Sequence, residues 1–395
     1  MIPAFPFRFL VNRRHGTPGT VVLPEGGFRR AKEEIASWPG YAPTPLLDLP
    51  DVAQAARVAS VHYKDEAGRF GLGSFKALGG AYAVARLLIA ELAKRGVANA
   101  ATSAELAEGT HREATQRITV TCATDGNHGR SVAWGAQRFG CRCVIFVHEH
   151  VSKGRRDAIA RYGAEVREVK GSYDASVREA QRTAEREGWF VVSDTSYAGY
   201  TELPRDVMQG YRVMVDEAAD QLARPPTHAF VQGGVGGLAA AVSVQLRARY
   251  GDSVKLVLAE PDKAACLLES AEAGERVSIP GDLDTLMAGL ACGEPSLLAW
   301  QELERGAYAF LAVPDESAVA CMKALAARTP PVVAGESAVA GLAGLLLAAR
   351  EPFVRTALGF EADSRVLLFG TEGATDPEVY ERLVGHAPRT GASSD

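Results

Sequence analysis

Short apolar runs rich in β-branched residues alternate with longer amphipathic stretches along most of the chain, and this alternation restricts the fold more than any other feature. The runs are ASVHY at 59–63, ITVTCAT at 118–124, CVIFV at 143–147, EVREV at 165–169, FVVSD at 190–194, HAFVQ at 228–232, KLVLAEP at 255–261, YAFLAV at 308–313 and RVLLFG at 365–370. Most are continuously apolar, as strands covered on both faces are. Between them lie helical stretches such as SYDASVREAQRTAEREG and DESAVACMKALAAR. Strand and helix in turn predict an α/β protein built on parallel sheets. At 395 residues the chain has room for two or three domains of the usual ~100–200 residues. The small, polar stretch at 98–114 reads as an excursion before the next strand, and the tail APRTGASSD as a frayed end.

Composition narrows the class. Hydrophobic residues make up 47% and charged residues 23%, ordinary values for a globular protein with a large core. A net charge of −5 with scattered Lys and Arg offers no one-sided basic surface, so no nucleic-acid partner is expected. No run of eighteen apolar residues exists for a membrane span, and MIPAFPFRFLVNRRHG, with two prolines and early charges, is not expected to be a signal peptide. A cytoplasmic enzyme acting on a small molecule is the expectation, without a membrane partner. Cys122, Cys141, Cys143, Cys266, Cys292 and Cys321 form no C-x-x-C pair and have no histidine at zinc-ligand spacing, so no metal is expected and reduced thiols are.

Three glycine-bearing stretches carry the chemistry. In RFGLGSFKALGG, Lys76 sits between a Gly-rich lead-in and a Gly pair. In CATDGNHGRSVAW, a strand leads into a helix, so backbone N–H groups can gather on an anion. Asn127 adds an amide there, and Asp125 and His128 stand at the carboxyl end of the strand, where open α/β sheets bind ligands. In FVQGGVGGLAAAV, Gly233, Gly234, Gly236 and Gly237 follow a strand and open a helix, letting backbone approach a phosphate. That loop lacks the last glycine of G-x-G-x-x-G, Ala239 standing there, although Glu260 ends the next strand about 20 residues on. A dinucleotide-dependent dehydrogenase is one alternative, but it leaves Lys76 and the Asn127 loop without a task. Pyridoxal phosphate uses all three stretches, because it pairs a phosphate with an aldehyde that forms a Schiff base with lysine.

With YAPTPLLDL near the start and LLFGTEGATDPE near the end, these motifs occur in the order seen in fold-type II pyridoxal phosphate enzymes, the group of tryptophan synthase β-chain, cysteine synthase and threonine dehydratase. KDEAGRFGL, TDGNHGR, DTSYAGY, TLMAGLACGEPS and TEGATDP narrow the resemblance to the diaminopropionate ammonia-lyase family, over most of residues 40–380. The resemblance implies a tryptophan synthase β-like fold of parallel-rich twisted sheets flanked by helices, with the cofactor in the cleft between two domains. A discontinuous large domain would hold residues 1–85 and 197–395, and a smaller mobile one residues 86–196. A homodimer is implied as well.

Carried over by motif, the resemblance makes Lys76 the anchor of the cofactor aldehyde and gives Asn127 its ring hydroxyl. Gly233, Gly234, Val235, Gly236 and Gly237 would cradle the phosphate, and Thr371 would face the pyridine nitrogen. A hydroxyl there does not hold that nitrogen protonated, which suits elimination of a β-substituent. Thr124, Asp125, Gly126, His128 and Asp194 would serve the substrate, the two carboxylates favouring its extra ammonium group. Asp125 would be the base for the D isomer and Lys76 for the L isomer. The implied reaction takes ammonia from D- or L-2,3-diaminopropionate to give aminoacrylate, then pyruvate and a second ammonia. A serine or threonine dehydratase on the same fold is the nearer alternative. Gly73-Ser74 departs from the Asn-Ala usual in the family, and the Gly loop departs from its Gly-Ser-Met pattern. The glycines at 73, 79 and 80 read as clearance around a ring.

Overall fold

The computed structural model describes residues 2–389 except Asp125, Ser172 and Asp282, and of Asp174 only the backbone. All nine expected strands form. Numbered in chain order with two others, they are β1 (Arg8–Val11), β2 (Leu46–Asp48), β3 (Ser60–Asp65), β4 (Thr119–Ala123), β5 (Arg142–His148), β6 (Glu165–Val169), β7 (Phe190–Val191), β8 (His228–Gln232), β9 (Lys255–Pro261), β10 (Ala309–Val313) and β11 (Arg365–Gly370). Six helices position the chemistry: α1 (Ala77–Lys94), α2 (Asn127–Phe139), α3 (Glu202–Gln221), α4 (Gly237–Tyr250), α5 (Cys266–Ala273) and α6 (Ala340–Ala348).

The chain divides into two compact units, the first of Met1–Leu23, Pro43–Ser74 and Met214–Asp395, the second of Pro24–Ala42 and Phe75–Val213. In the first, a seven-stranded sheet runs β1-β10-β9-β8-β11-β3-β2. Its five inner strands are parallel, and β1 and β2 close the two ends antiparallel. These short end strands carry no long apolar run, and brief edge strands are one way a sheet limits unwanted pairing. The apolar run AGLAGLLLA, too short for a membrane, is α6, buried along its whole length. Gly341 and Gly344 let it lie close to β8 and β9, since a Cβ at Gly341 would stand 3.1 Å from the Phe230 carbonyl oxygen and one at Gly344 3.1 Å from Ala259 Cβ.

In the second unit a four-stranded parallel sheet runs β6-β5-β4-β7. Fully buried Val120 and Ile145 explain why β4 and β5 read as continuous apolar runs. The stretch at 98–114 differs from its reading as an excursion, because it holds two short helices, Ser103–Glu108 and Arg112–Thr115. A capping box between Thr102 and Glu105 starts the first, giving backbone donors the partners that a polar stretch otherwise finds in water. No described helix is long and apolar enough to cross a membrane.

Candidate active site

In the second unit the glycines around Lys76 set the crossing of helices. A Cβ on Gly210 would fall 1.8 Å from the Leu78 carbonyl oxygen, and one on Gly79 2.4 Å from Tyr211 Cε1. Helices α1 and α3 therefore meet backbone to backbone, one turn after Lys76. A Cβ on Gly80 would sit 1.9 Å from Ser131 Oγ, and one on Gly135 2.8 Å from Ala81 Cα, so α1 and α2 also pack at their glycines. Gly79 and Gly80 thus serve helix packing; the neighbours a side chain would strike are protein atoms. This corrects the reading of both as clearance around a ring.

The crossing places Lys76 in a charged cluster. Lys76 Nζ donates to Asp194 Oδ2 at 2.6 Å, with the two side chains 21% and 18% exposed. Asp194 follows the end of β7, and His128 lies in the first turn of α2, behind β4. His128 Nε2 donates to the Val192 carbonyl oxygen at 2.8 Å, which leaves Nδ1 as the bare acceptor, 3.8 Å from Asp194 Oδ2. Nδ1 has no hydrogen-bond partner among the described residues. Burial opposes charge on all three groups. At Lys76 that penalty is outweighed by Asp194 and Tyr211, and the amine is pushed up. At Asp194 it is outweighed by Lys76 and His128, and the carboxyl falls well below the usual carboxylate range. At His128 burial prevails over the attraction of Asp194, and the imidazole is pulled down, toward its neutral form. The cluster is an ammonium group on a carboxylate, with a neutral imidazole beside that carboxylate.

Thr124 has both neighbouring donors on its hydroxyl oxygen, Gly126 N–H at 3.0 Å and Gly129 N–H at 3.1 Å, so it caps the turn into α2. Gly126 precedes that helix, and Asn127 is its first residue. Asp125 lies outside the described residues.

In the first unit the loop after β8 is a cradle of bare backbone. The amide N–H groups of Gly234, Val235, Gly236 and Gly237 have no acceptor among the described residues, and they stand at the N-terminus of α4, where the helix dipole favours an anion. Side chains are excluded by contact and conformation. A Cβ at Gly233 would lie 2.8 Å from Glu260 Cγ, and Gly236 has φ +93°. Cys266 and Cys292 flank Gly234, the first with Sγ 3.6 Å from its carbonyl oxygen, the second with Sγ 3.4 Å from where its Cβ would be. Thr371 follows β11, the neighbour of β8 in the sheet. Gln232 Nε2 donates to Thr371 Oγ1 at 2.7 Å and to the Phe369 carbonyl oxygen at 2.8 Å. With an acceptor position of Thr371 filled, its hydroxyl hydrogen is left to donate.

Glu260, the acid a dinucleotide site would need, is fully buried. Its Oε1 and Oε2 accept the Leu267 and Leu268 N–H groups at 2.8 Å each, at the start of α5. Both oxygens are committed to backbone donors, which removes Glu260 as a ribose partner.

Two of the quoted motifs, YAPTPL and KDEAGRFG, prove to be structural. Arg69 Nε pairs with Glu66 Oε2 at 2.8 Å and its Nη2 with Glu217 Oε2 at 2.7 Å, while Lys64 Nζ reaches Glu217 Oε2 at 2.8 Å. Thr44 donates to Glu66 Oε1 at 2.5 Å. All are buried, and removing one member of such a buried ion pair costs about 3–5 kcal/mol. The network fixes the turn that delivers residues 73–74. There Gly73, with φ +78°, accepts the Gly373 N–H at 2.9 Å, and Ser74 bridges to Glu372. Left-handed backbone explains the Gly73 departure, since Asn, the residue usual in the resembled family, is the next most tolerant there.

The structure thus gathers Lys76, His128 and Asp194 in the second unit, with Thr124, Gly126 and Asn127 in the turn that leads into α2. In the first it joins the loop of Gly233, Gly234, Val235, Gly236 and Gly237 to Thr371 through Gln232. Sequence reasoning missed Gln232 and treated no residue of α3 as part of the site. The run HAFVQGG held a signal for the first, a polar residue closing an otherwise apolar strand. A lysine amine, a bare amide cradle and a hydroxyl with its hydrogen free fit the aldehyde, phosphate and ring nitrogen of pyridoxal phosphate.

Comparison with known proteins agrees. Residues 37–357 match the family described as Pyridoxal-phosphate dependent enzyme. Diaminopropionate ammonia-lyase of Escherichia coli (strain K12) is 38% identical over 373 residues, covering 90% of this chain and 90% of that protein. Its crystal structure in complex with D-serine superposes with a TM-score of 0.89 at 34% identity, over 97% of this chain and 98% of that one. A second, in complex with an aminoacrylate-PLP azomethine reaction intermediate, gives 0.87 at 34% identity over the same shares. Pyridoxal phosphate is the cofactor, and the fold is fold-type II. This chain belongs to the pyridoxal-phosphate dependent enzymes, in their diaminopropionate ammonia-lyase branch.

Proposed function

We infer that the protein eliminates ammonia from D- and L-2,3-diaminopropionate, giving aminoacrylate, which takes up water to yield pyruvate and a second ammonia. The observation that carries this reading is the Asp194 carboxylate, held ionised beside a half-buried ammonium at 2.6 Å. It is a ready receptor for the second cationic group of a diamino acid. Bound pyridoxal phosphate supplies the electron sink that makes the substrate Cα–H acidic and lets the β-substituent leave.

The chain's own residues supply the rest. The amides of Gly234, Val235, Gly236 and Gly237, with Gly233 leading in, hold the phosphate, which costs no side-chain ordering. Thr371, held by Gln232, donates to the ring nitrogen without protonating it, and Asn127 takes the ring hydroxyl. Lys76 anchors the aldehyde, and as a free amine it accepts the Cα proton of the L isomer. The resulting ammonium is stabilised by Asp194. Asp125 takes the Cα proton of the D isomer. Thr124, Gly126 and His128 line the substrate carboxylate and ammonium groups, with His128 Nδ1 as a neutral acceptor. A leaving ammonia departs most readily once its amine is protonated, and a carboxylate beside the ammonium keeps it so. We further propose a cytoplasmic homodimer.

Pyruvate release by the cofactor-loaded enzyme from D- and L-2,3-diaminopropionate, serine and threonine tests the reading. Both diaminopropionate isomers should turn over faster than either hydroxy amino acid. Serine or threonine turning over far better would make the enzyme a dehydratase.

A further inference from the structure

Tyr211 has no part in the residue set above, yet its ring packs against the Lys76 amine together with that of Phe75. Its ring centre is 4.6 Å from that of Phe75, and Lys76 Nζ lies 5.6 Å from the Tyr211 ring centre and 5.3 Å from the Phe75 ring centre. The ring is wedged against Gly79, where even a Cβ would come within 2.4 Å of Cε1, and this contact fixes it one turn along α1 from the lysine. The residue is 1% exposed, and its hydroxyl has no hydrogen-bond partner among the described residues. An unsatisfied buried hydroxyl costs about 1–3 kcal/mol, so a tyrosine kept where phenylalanine would pack equally well points to a use for the oxygen.

We propose that Tyr211 is a positioning residue for Lys76: its phenolic oxygen is the second acceptor, beside Asp194, for the N–H bonds of the protonated lysine nitrogen. The inference rests on the function proposed above. An ammonium has three N–H bonds and Asp194 takes one at 2.6 Å. The Tyr211 ring stands 5.6 Å from the same nitrogen; burial pushes its hydroxyl up, and the lysine charge pulls against that. When Lys76 takes the Cα proton from the L isomer, the new N–H bond is held between a charged and a neutral oxygen. That fixes the direction of the lysine lone pair before transfer and favours the protonated nitrogen after it. Among the described residues the other ionisable groups facing the cluster are His128, Cys122 and Tyr200, the first held neutral and the other two pushed up by burial. None carries charge that would replace the tyrosine.

Tyr211→Phe tests this, because it keeps the ring against Gly79 and Phe75 and removes the hydroxyl alone. The first readout is the pH midpoint of the visible absorbance change of the holoenzyme, which reports proton affinity at the lysine nitrogen. Loss of one neutral acceptor should move it down by about 0.5–1 unit, roughly a 3–10-fold weaker proton affinity. The second is the acid limb of the pH profile for pyruvate release from L-2,3-diaminopropionate, which should move down in step. A variant with both unchanged would overturn the proposal, leaving Tyr211 as packing alone. A wild-type enzyme without activity on diaminopropionate would instead overturn the functional reading, while the spectral midpoint still decides the role of Tyr211.

Discussion

The loop at residues 233–237 and the cluster around Lys76 hold charge with opposite materials. The loop uses amide dipoles at the start of α4 and has no ionisable side chain, so its field does not change with pH. It also tolerates neighbours of different chemistry, as the Gly-Leu in place of the resembled Ser-Met pattern illustrates. The cluster uses Lys76, Asp194, His128 and Tyr211, each of whose acidities is set by the others and by burial. Backbone dipoles bind without moving protons, whereas coupled side chains can pass them. One region is built to hold and the other to react, and substitutions should separate the two.

The largest separation is expected from Lys76→Ala. Turnover of both isomers should fall by at least about 10³-fold, since the variant loses an anchor and a base together. Pyridoxal phosphate should still be retained through the loop, as measured by dialysis and phosphate analysis. Turnover within about tenfold of wild type would break the comparison from the reactive side. Gly236→Ala tests the holding side. Left-handed backbone at φ +93° costs a side chain about 1–2 kcal/mol, so cofactor affinity should weaken by roughly 5–30-fold. Turnover of the saturated enzyme should change little, and a large loss at saturating cofactor would show that the loop does more than hold.

The smallest effect is expected at Glu260, under the loop. Burial pushes its carboxyl from 4.5 up to about 8 despite two backbone donors. A folded-state value above the unfolded one means that the protonated group contributes stability fully below pH 4.5, and that this is lost as pH rises toward 8. Glu260→Gln, which does not titrate, should therefore lose less thermal stability than wild type between pH 5 and pH 9. A steeper loss in the variant would contradict the raised value.

Much of this was legible in the sequence, for identifiable reasons. Strands β4, β5 and β8 to β11 are buried along nearly their whole length and announced themselves as apolar runs, whereas FVVSD yielded only Phe190–Val191 as strand. The Gly loop and Lys76 stood out because glycines and a lone lysine are costly in such places. Strands β1 and β2 were invisible, because three or four residues at a sheet edge take their form from a partner. Gln232 and Tyr211 were also missed, since each acts on a residue more than a hundred positions away. Gly79 and Gly80 were seen and misread, because nothing local distinguishes a glycine facing a ligand from one at a helix crossing. The charges of KDEAGRFG carried only a family resemblance in the sequence, and in the fold they build the buried support of the turn before Lys76.

The central claim is that the Asp194 carboxylate reads the second ammonium of a diamino acid. The most direct test is the ratio of kcat/KM for L-2,3-diaminopropionate over L-serine in Asp194→Asn and in wild type. Both substrates need Lys76, so any damage to the lysine cancels in the ratio. Loss of one hydrogen bond to a charged group, about 1.5–3 kcal/mol, should lower the ratio by at least about tenfold. An unchanged ratio, with both substrates falling by the same factor, would contradict it and leave Asp194 as a partner of Lys76 alone.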